Sequence, residues 1–410
     1  MKKLLFAVAL ACFGFGHAQN KSILYIGNSY TGVNNLPLLV YNIAVANSDT
    51  ITYDSNTPGG SRFEMHKTNP TTLAKINSKN WDFVVLQDQS QIPALPEDIM
   101  GEFYSPPNAA VLVDSIKENS ICTEVVFYMT WGRKYGDATF CEDHPPVCTY
   151  EGMQDELAAA YTFMAEENNA TVSPVGEAWR AVINDDPSIE LYTGDESHPN
   201  INGSYLAACV MYATMYQKPS SGNTYTAGIE PDLAAYLQEK ADEVVFGELE
   251  TWRIGHSDLH ATYDYTNEAF EYNFTSSTEN AETVKWIIDG VTYLEENPSH
   301  SFPTDGFYSV TFMAYNECDT IILNENLPVG DVGIPTPTEL DLKIFPNPTN
   351  DYIYISTHSK ENIQVELYDL KGRLLINTLI NSNYKLDIRH MNKGIYFLKV
   401  NGTVKQIVKT

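Results

Sequence analysis

Between residues 21 and 255, five short runs rich in apolar and β-branched residues alternate with helix-length segments, and this alternation limits the possible folds more than any other feature. The runs are "SILYIG", "TITYDS", "DFVVLQ", "EVVFYMTW" and "ATVSPV". A strand that returns parallel to its predecessor needs a crossover of a dozen or more residues, so the spacing predicts a parallel sheet with crossover helices. "DFVVLQ" and "EVVFYM" are continuous rather than alternating, as strands covered on both faces are. Helices are expected near 36–46, 71–79, 107–119, 153–168 and 203–216. A last one, "PDLAAYLQEKADEVV", places Leu233, Leu237, Ala241 and Val244 along one stripe.

From about residue 260 the apolar period shortens to two, in segments such as "AFEYNFTSS", "TVKWIIDG" and "GFYSVTFMAYN", which reads as a small β-sandwich with a hairpin turn at Asp289-Gly290. "VGDVGIPTPTELD" has no period and reads as a linker. A second all-β segment follows from about 342, where basic residues gather. The expected organisation is a leader at 1–18, an α/β domain at 19–255, a β-sandwich at 256–329, a linker at 330–341 and a C-terminal β domain at 342–410.

The first residues, "MKKLLFAVALACFGFGHAQN", carry two lysines, a short apolar run and small residues at Gly16 and Ala18, the pattern of a secretory signal cleaved after Ala18. Cys12 lacks the bulky residue expected three positions before a lipidated cysteine. No segment approaches the ~20 apolar residues of a membrane-spanning helix. A formal net charge of −28 opposes direct attraction to nucleic acid or to an anionic membrane. Export permits disulfides. Cys141 and Cys148 close a short loop and form the favoured pair, Cys122 is set with Cys209, and Cys318 is left over. A metal site from Cys141, His144 and Cys148 fits no common zinc spacing. No cofactor is expected.

"ILYIGNSYTG" ends a buried-looking strand on Ser29, at the sheet edge where α/β proteins bind ligands. A nucleophilic serine needs a base, a group to orient that base and donors for an oxyanion. "TGDESHPN" supplies Asp195 and His198 three residues apart, before the helix at 203–216. "TPGGSR" supplies Gly59 and Gly60 after the second run, where a backbone N–H can approach a ligand. "LQDQSQIP" offers the amides of Gln87, Gln89 and Gln91 as a third donor, with the choice among them open. Trp131 and Arg133, after the fourth run, are candidate substrate contacts together with Asn28, with core packing and a surface ion pair as the plainer readings of Trp131 and Arg133.

"GNSYT", the Gly of "PGGS", "VVLQDQSQ" and "DESHP" resemble the four blocks of the SGNH (GDSL-like) hydrolases, in the branch whose first block reads Gly-Asn-Ser, over roughly residues 21–250. The resemblance implies a three-layer α/β domain with Ser29 as nucleophile, His198 as base, Asp195 as its partner, and Ser29 and Gly60 as oxyanion donors. Gln89 and Gln91 stand where the family usually has the Gly and Asn of its third block. "VKWIIDG" and "GFYSVTF", with Trp286 as core, resemble a PKD-type immunoglobulin-like domain. "IFPNPTNDYIYI", "LYDLKGRLL" and "GIYFLKV" resemble the C-terminal sorting domain of type IX secretion.

The expected function is therefore a secreted serine esterase acting on carboxylic esters, acetyl groups on carbohydrate in particular, with the type IX machinery as partner and an extracellular or outer-membrane-surface location. The alternative is a catalytically inactive glycan-binding or adhesion protein at the cell surface.

Overall fold

The computed structural model describes residues 18–330, 343–347, 349–356, 363–369, 373–380, 384–391, 393–400 and 403–409. Most of the leader, and the linker, lie outside the described residues. The five apolar runs form strands β1 (Asn20–Ile26), β2 (Thr50–Asn56), β3 (Phe83–Leu86), β4 (Glu124–Tyr128) and β5 (Thr171–Ser173). They make one parallel sheet in the order β2-β1-β3-β4-β5. β3 is buried throughout and β4 from Val125 to Tyr128, which is why these two runs read as continuous rather than alternating.

The intervening helices are α1 (Ser29–Gly32), α2 (Leu36–Ala46), α3 (Phe63–His66), α4 (Pro70–Ile76), α5 (Glu97–Met100), α6 (Ser105–Asn119), α7 (Tyr150–Glu167), α8 (Val175–Asp185), α9 (Ile201–Tyr216) and α10 (Pro231–Gly247). α9 packs on α2, α8 and α10, while α6 packs on α3, α4 and α7. With right-handed crossovers, this strand order sends α2 to one face of the sheet and α4, α6 and α7 to the other. α9 is buried all round from Gly203 to Tyr216, so its sequence shows almost no amphipathic bias. The stripe of α10 turns slightly from its expected position: Ala234, Leu237, Gln238, Ala241 and Val245 are buried, while Leu233 and Val244 are half-buried. The order reverses direction between β1 and β3, and the crevice at the carboxyl ends of those two strands is where such sheets bind ligands. Ser29 follows β1 and Gln87 follows β3.

Beyond the α/β part, β6 (His260–Glu268), β7 (Glu271–Glu279), β8 (Thr283–Ile288), β9 (Val291–Tyr293), β10 (Ser299–Ser301), β11 (Gly306–Tyr315) and β12 (Thr320–Val329) form sheets ordered β10-β7-β6 and β12-β11-β8-β9. Trp286 is fully buried against Phe274 and Phe312. Asp289 and Gly290 both take positive φ and join β8 to β9, as a two-residue hairpin requires. The C-terminal strands form two antiparallel sheets around Ile353, Ile355, Val365, Leu367, Leu398 and Val400.

By its contacts the chain divides into two compact units. The first runs to Tyr263 and adds Ser276–Lys285 and Met313–Leu323, and the second takes Asp264–Thr275, Trp286–Phe312 and the residues from Asn324. Both disulfides lie in the first unit. Cys141 pairs with Cys148, as expected. Cys122 pairs with Cys318, with 5.3 Å between Cα atoms, which corrects the expected Cys122–Cys209 pair. Cys209 lies buried among the packed side chains of α9 and stays a free thiol, whereas Cys122 is exposed in the turn before β4.

A cross-link over 196 residues removes much unfolded-chain entropy, ~5 kcal/mol in the loop-closure picture. Replacing Cys122 and Cys318 together by Ala is expected to lower the thermal midpoint substantially, read by calorimetry against the unreduced parent.

Candidate active site

β1 ends at Ile26, and the chain turns through Gly27 and Asn28 into α1, whose first residue is Ser29. Asn28 is the N-cap: its side-chain oxygen accepts the Tyr30 N–H at 3.0 Å, and its Nδ2 donates to the Ser61 carbonyl at 3.0 Å. Both ends of Asn28 are thus committed and it is buried, so it is a structural tie rather than the expected substrate contact. The Ser29 N–H, an orphan donor of the first helical turn, has no acceptor among the described residues.

Gln87 clamps this turn from β3. Its Oε1 accepts the Asn28 N–H at 3.0 Å and the Thr31 hydroxyl at 2.8 Å, and its Nε2 donates to the Asp88 carbonyl. It is fully buried with both ends of the amide used, which removes it from the candidate oxyanion donors. Gly27 is needed here because a Cβ would stand 2.6 Å from Gln87 Oε1. His66 Nε2 lies 2.8 Å from the Gly27 carbonyl, which can only accept, so that nitrogen carries the proton and Nδ1 accepts from Thr72. Burial lowers the His66 pKa and keeps the ring neutral.

The segment 193–198 lies between α8 and α9. A bridge between Tyr192 and Pro199 closes its base, and the Asn200 side chain caps α9 through the N–H groups of Asn202 and Gly203. His198 Nε2 is 2.8 Å from Ser29 Oγ, and His198 Nδ1 is 2.5 Å from Asp195 Oδ2. Burial would raise the Asp195 pKa. Hydrogen bonds from the His198 N–H, the Thr193 hydroxyl, the His198 ring and the Ser197 N–H outweigh it and hold the carboxyl well below the usual range. A carboxylate fixed as an acceptor assigns the Nδ1 proton to His198 and leaves Nε2 as the acceptor for Ser29.

Trp131 is fully buried, stacked between Tyr30 at 4.8 Å and Trp179 at 3.9 Å. Its Nε1 donates to the Ser197 carbonyl at 3.0 Å, and the Tyr30 hydroxyl is 2.6 Å from Ser197 Oγ. Trp131 therefore cannot touch substrate. It fixes the loop that carries His198, which corrects its expected role as a substrate contact and agrees with the plainer reading as core packing. Arg133 donates to Gln91 Oε1 at 2.8 Å and pairs with the buried Asp137 at 3.4 Å, so its carboxylate partner lies inside the protein rather than at the surface.

Gly60 is exposed with φ +69°, and its N–H has no partner among the described residues. Its neighbour Ser61 is the residue tied to Asn28, so this loop is anchored at the turn that carries Ser29. Of the remaining amides, Gln91 uses its oxygen for Arg133 and Ser90, while the Gln89 amide engages only the neighbouring Ser90.

Sequence reasoning passed over Asp88. Its Oδ1 accepts the Phe63 N–H at 2.9 Å and the Gln89 N–H at 2.8 Å, and its Oδ2 accepts the Ser105 hydroxyl at 2.7 Å. One buried carboxylate thus joins the end of the Gly-Gly loop, the Gln89 backbone and α6. The signal was the acid inside "LQDQSQ", at the end of a run buried on both faces, where a charge is not left without partners.

The chain is similar to a number of solved structures. A provisionally assigned SGNH hydrolase from Slackia heliotrinireducens is 27% identical, with 48% of this chain and 100% of that chain covered and a TM-score of 0.39. A DUF4886 family protein from Bacteroides uniformis is 17% identical over 56% of this chain and 96% of that one, with a TM-score of 0.46. The psychrotrophic esterase EstA from Pseudoalteromonas sp. is 14% identical over 48% and 97%, with a TM-score of 0.33. No curated protein matches the chain.

Burial is the largest influence on Asp88 and pushes its carboxyl up to about 6, against its hydrogen bonds and Arg62. A folded state with a raised carboxyl pKa keeps its proton at pH values where the unfolded chain has lost it. The penalty is therefore absent below about pH 4, grows as pH rises, and is complete above about pH 6, at ~3 kcal/mol. Asp88→Asn keeps the acceptor for both N–H groups and can donate to Ser105. Its thermal midpoint is expected to exceed that of the parent at pH 7.5, with the gap closing toward pH 4.

Residues 343–410 match the family model described as the Secretion system C-terminal sorting domain.

Proposed function

We propose that this protein is a secreted serine esterase that hydrolyses carboxylic esters, with acetyl groups on carbohydrate as the substrate class. The observation that carries the reading is the unbroken hydrogen-bond chain from Ser29 through His198 to Asp195 at the carboxyl end of β1. In the proposed cycle His198 Nε2 takes the Ser29 proton as Oγ bonds to the ester carbonyl carbon. The Ser29 and Gly60 N–H groups and the Gln89 amide hold the oxyanion. The C–O bond to the alcohol then breaks, and His198 returns the proton to the leaving oxygen. Water, deprotonated by His198, attacks the acyl-enzyme, and collapse releases the acid and reprotonates Ser29. Asp195 stays ionised throughout.

The full chain is expected to release p-nitrophenol from p-nitrophenyl acetate and to be labelled at Ser29 by a fluorophosphonate. Ser29→Ala and His198→Ala should each lower turnover by on the order of a millionfold. Gln89→Ala should lower it by about a hundredfold to a thousandfold. A parent chain that neither turns over nor takes the label refutes the esterase and leaves the inactive binding protein.

The sorting-domain match supports handling by a type IX secretion system, with residues 19–255 as the catalytic part, 256–329 as the intervening β-sandwich and 342–410 as the sorting part. Among the described residues no helix is long and apolar enough to cross a membrane. Deleting residues 342–410 is expected to abolish release to the cell surface or medium in a host with that machinery, followed by immunoblotting of cell fractions.

A further inference from the structure

Gln19, the residue that cleavage after Ala18 makes the first, is held by both its backbone and its side chain. Its N–H donates to Asp49 Oδ1 at 2.8 Å, its carbonyl accepts the Thr50 N–H at 2.8 Å, and its Nε2 donates to the Tyr216 carbonyl at 3.3 Å. β1 begins at the next residue, Asn20, whereas Ala18 is exposed. The leader pattern of the sequence and the anchoring of the chain thus meet at the same bond.

Asp49 lies between α2 and β2, and its side chain has no exposed surface. Oδ1 takes Lys218 Nζ at 2.6 Å together with the Gln19 N–H, and Oδ2 takes the Tyr212 hydroxyl at 2.8 Å. A buried charge persists only among donors and countercharge. While the leader is attached, the Gln19 nitrogen is a neutral amide with one N–H. Hydrolysis of the bond to Ala18 leaves a carboxylate on Ala18 and an amine on Gln19, and α-amino groups, which titrate near about 8, are mostly protonated at neutral pH. The same nitrogen then faces Asp49 as a cation, and a charge-assisted hydrogen bond is about twice as strong as a neutral one. Lys218 shares Oδ1 and opposes the new charge, but its side chain is 22% exposed, so water screens part of that repulsion.

The contacts also bear on a side reaction. In a free N-terminal Gln the amine nitrogen can attack the side-chain amide carbon; an amine proton passes to the departing ammonia, and an uncharged lactam remains. A protonated nitrogen has no lone pair for that attack. Here the nitrogen is turned to Asp49 and the amide to Tyr216, so both bonds have to break before the ring can close.

We propose that Asp49 is the docking site of the newly cut chain end: leader removal after Ala18 places the Gln19 α-ammonium on its carboxylate, ties the start of β1 to the start of β2, and makes the processed protein more stable than the unprocessed one. The inference rests on the cleavage position read from the sequence and is independent of the esterase chemistry.

The test compares two chains released from a fusion by a protease that leaves no foreign residue, one beginning at Gln19 and one keeping Ala18, both running to Thr410. The chain beginning at Gln19 is expected to melt about 2 °C higher. The gap should vanish in Asp49→Asn, which keeps the acceptor and loses the charge. Lys218→Gln, a second variant that leaves the carboxylate intact, makes the chain end its nearest cation and should widen the gap. Intact-mass analysis of the protein exported by a host with the type IX machinery is expected to show a chain that begins at Gln19 and has kept its ammonia. Equal midpoints for the two parent chains overturn the proposal, as does a gap that Asp49→Asn leaves unchanged or Lys218→Gln narrows. A lactam at Gln19, or a mature chain that begins elsewhere, overturns it as well.

Discussion

The side-chain amide of Gln87 is the joint between the sheet and the turn that carries Ser29. It reaches from the end of β3 across the point where strand order reverses and takes the N–H of Asn28 and the hydroxyl of Thr31. It adds β3 to the ties that Asn28 makes with Ser61 and that Gly27 makes with His66. Asn28 then passes the restraint to the Gly-Gly loop through Ser61, and Asp88, the next residue after Gln87, passes it to Phe63 and Gln89. The Gly60 and Gln89 loops and the turn that carries Ser29 are thus held by one buried polar network. Such a network is stable only while every member is paired, so its parts depend on one another.

His198 is fixed by different means. Its loop is closed by a backbone bridge at Tyr192 and Pro199 and rests on a stack of three aromatic rings, Tyr30, Trp131 and Trp179. Tyr30 comes from α1 itself and stands edge-on to His198 at 5.3 Å. Serine and histidine are therefore registered to each other through packing as well as through their own hydrogen bond.

Much of this was legible in the sequence, for a physical reason. Period and run length report local burial, so the five strands and the longer helices could be read; Ser29, Gly60 and the glutamines follow the ends of β1, β2 and β3, while Asp195 and His198 lie in the loop between α8 and α9. α8 escaped because its first residue, Val175, also ends the apolar run "ATVSPV", which reads as strand. What could not be read was pairing at a distance. Asn28 and Trp131 have the chemistry of substrate contacts, and only the fold shows that their polar atoms are already spent inside the protein. Cys122 and Cys318 carry no local signal that they meet, and Gln87 differs from Gln89 and Gln91 only in what surrounds it.

The Cys122–Cys318 bond also bears on how the protein comes into being. One of its sulfurs belongs to the turn before β4, and the other arrives 196 residues later, after the β-rich segment has begun. Cys122 can therefore pair only after residue 318 has been made and both sulfurs meet in an oxidising compartment. The segment from 313 to 323 is thereby a covalent part of the first unit, and cutting the chain near residue 255 would yield an α/β piece that carries Cys122 as a free thiol, unlike the same residues in the intact protein.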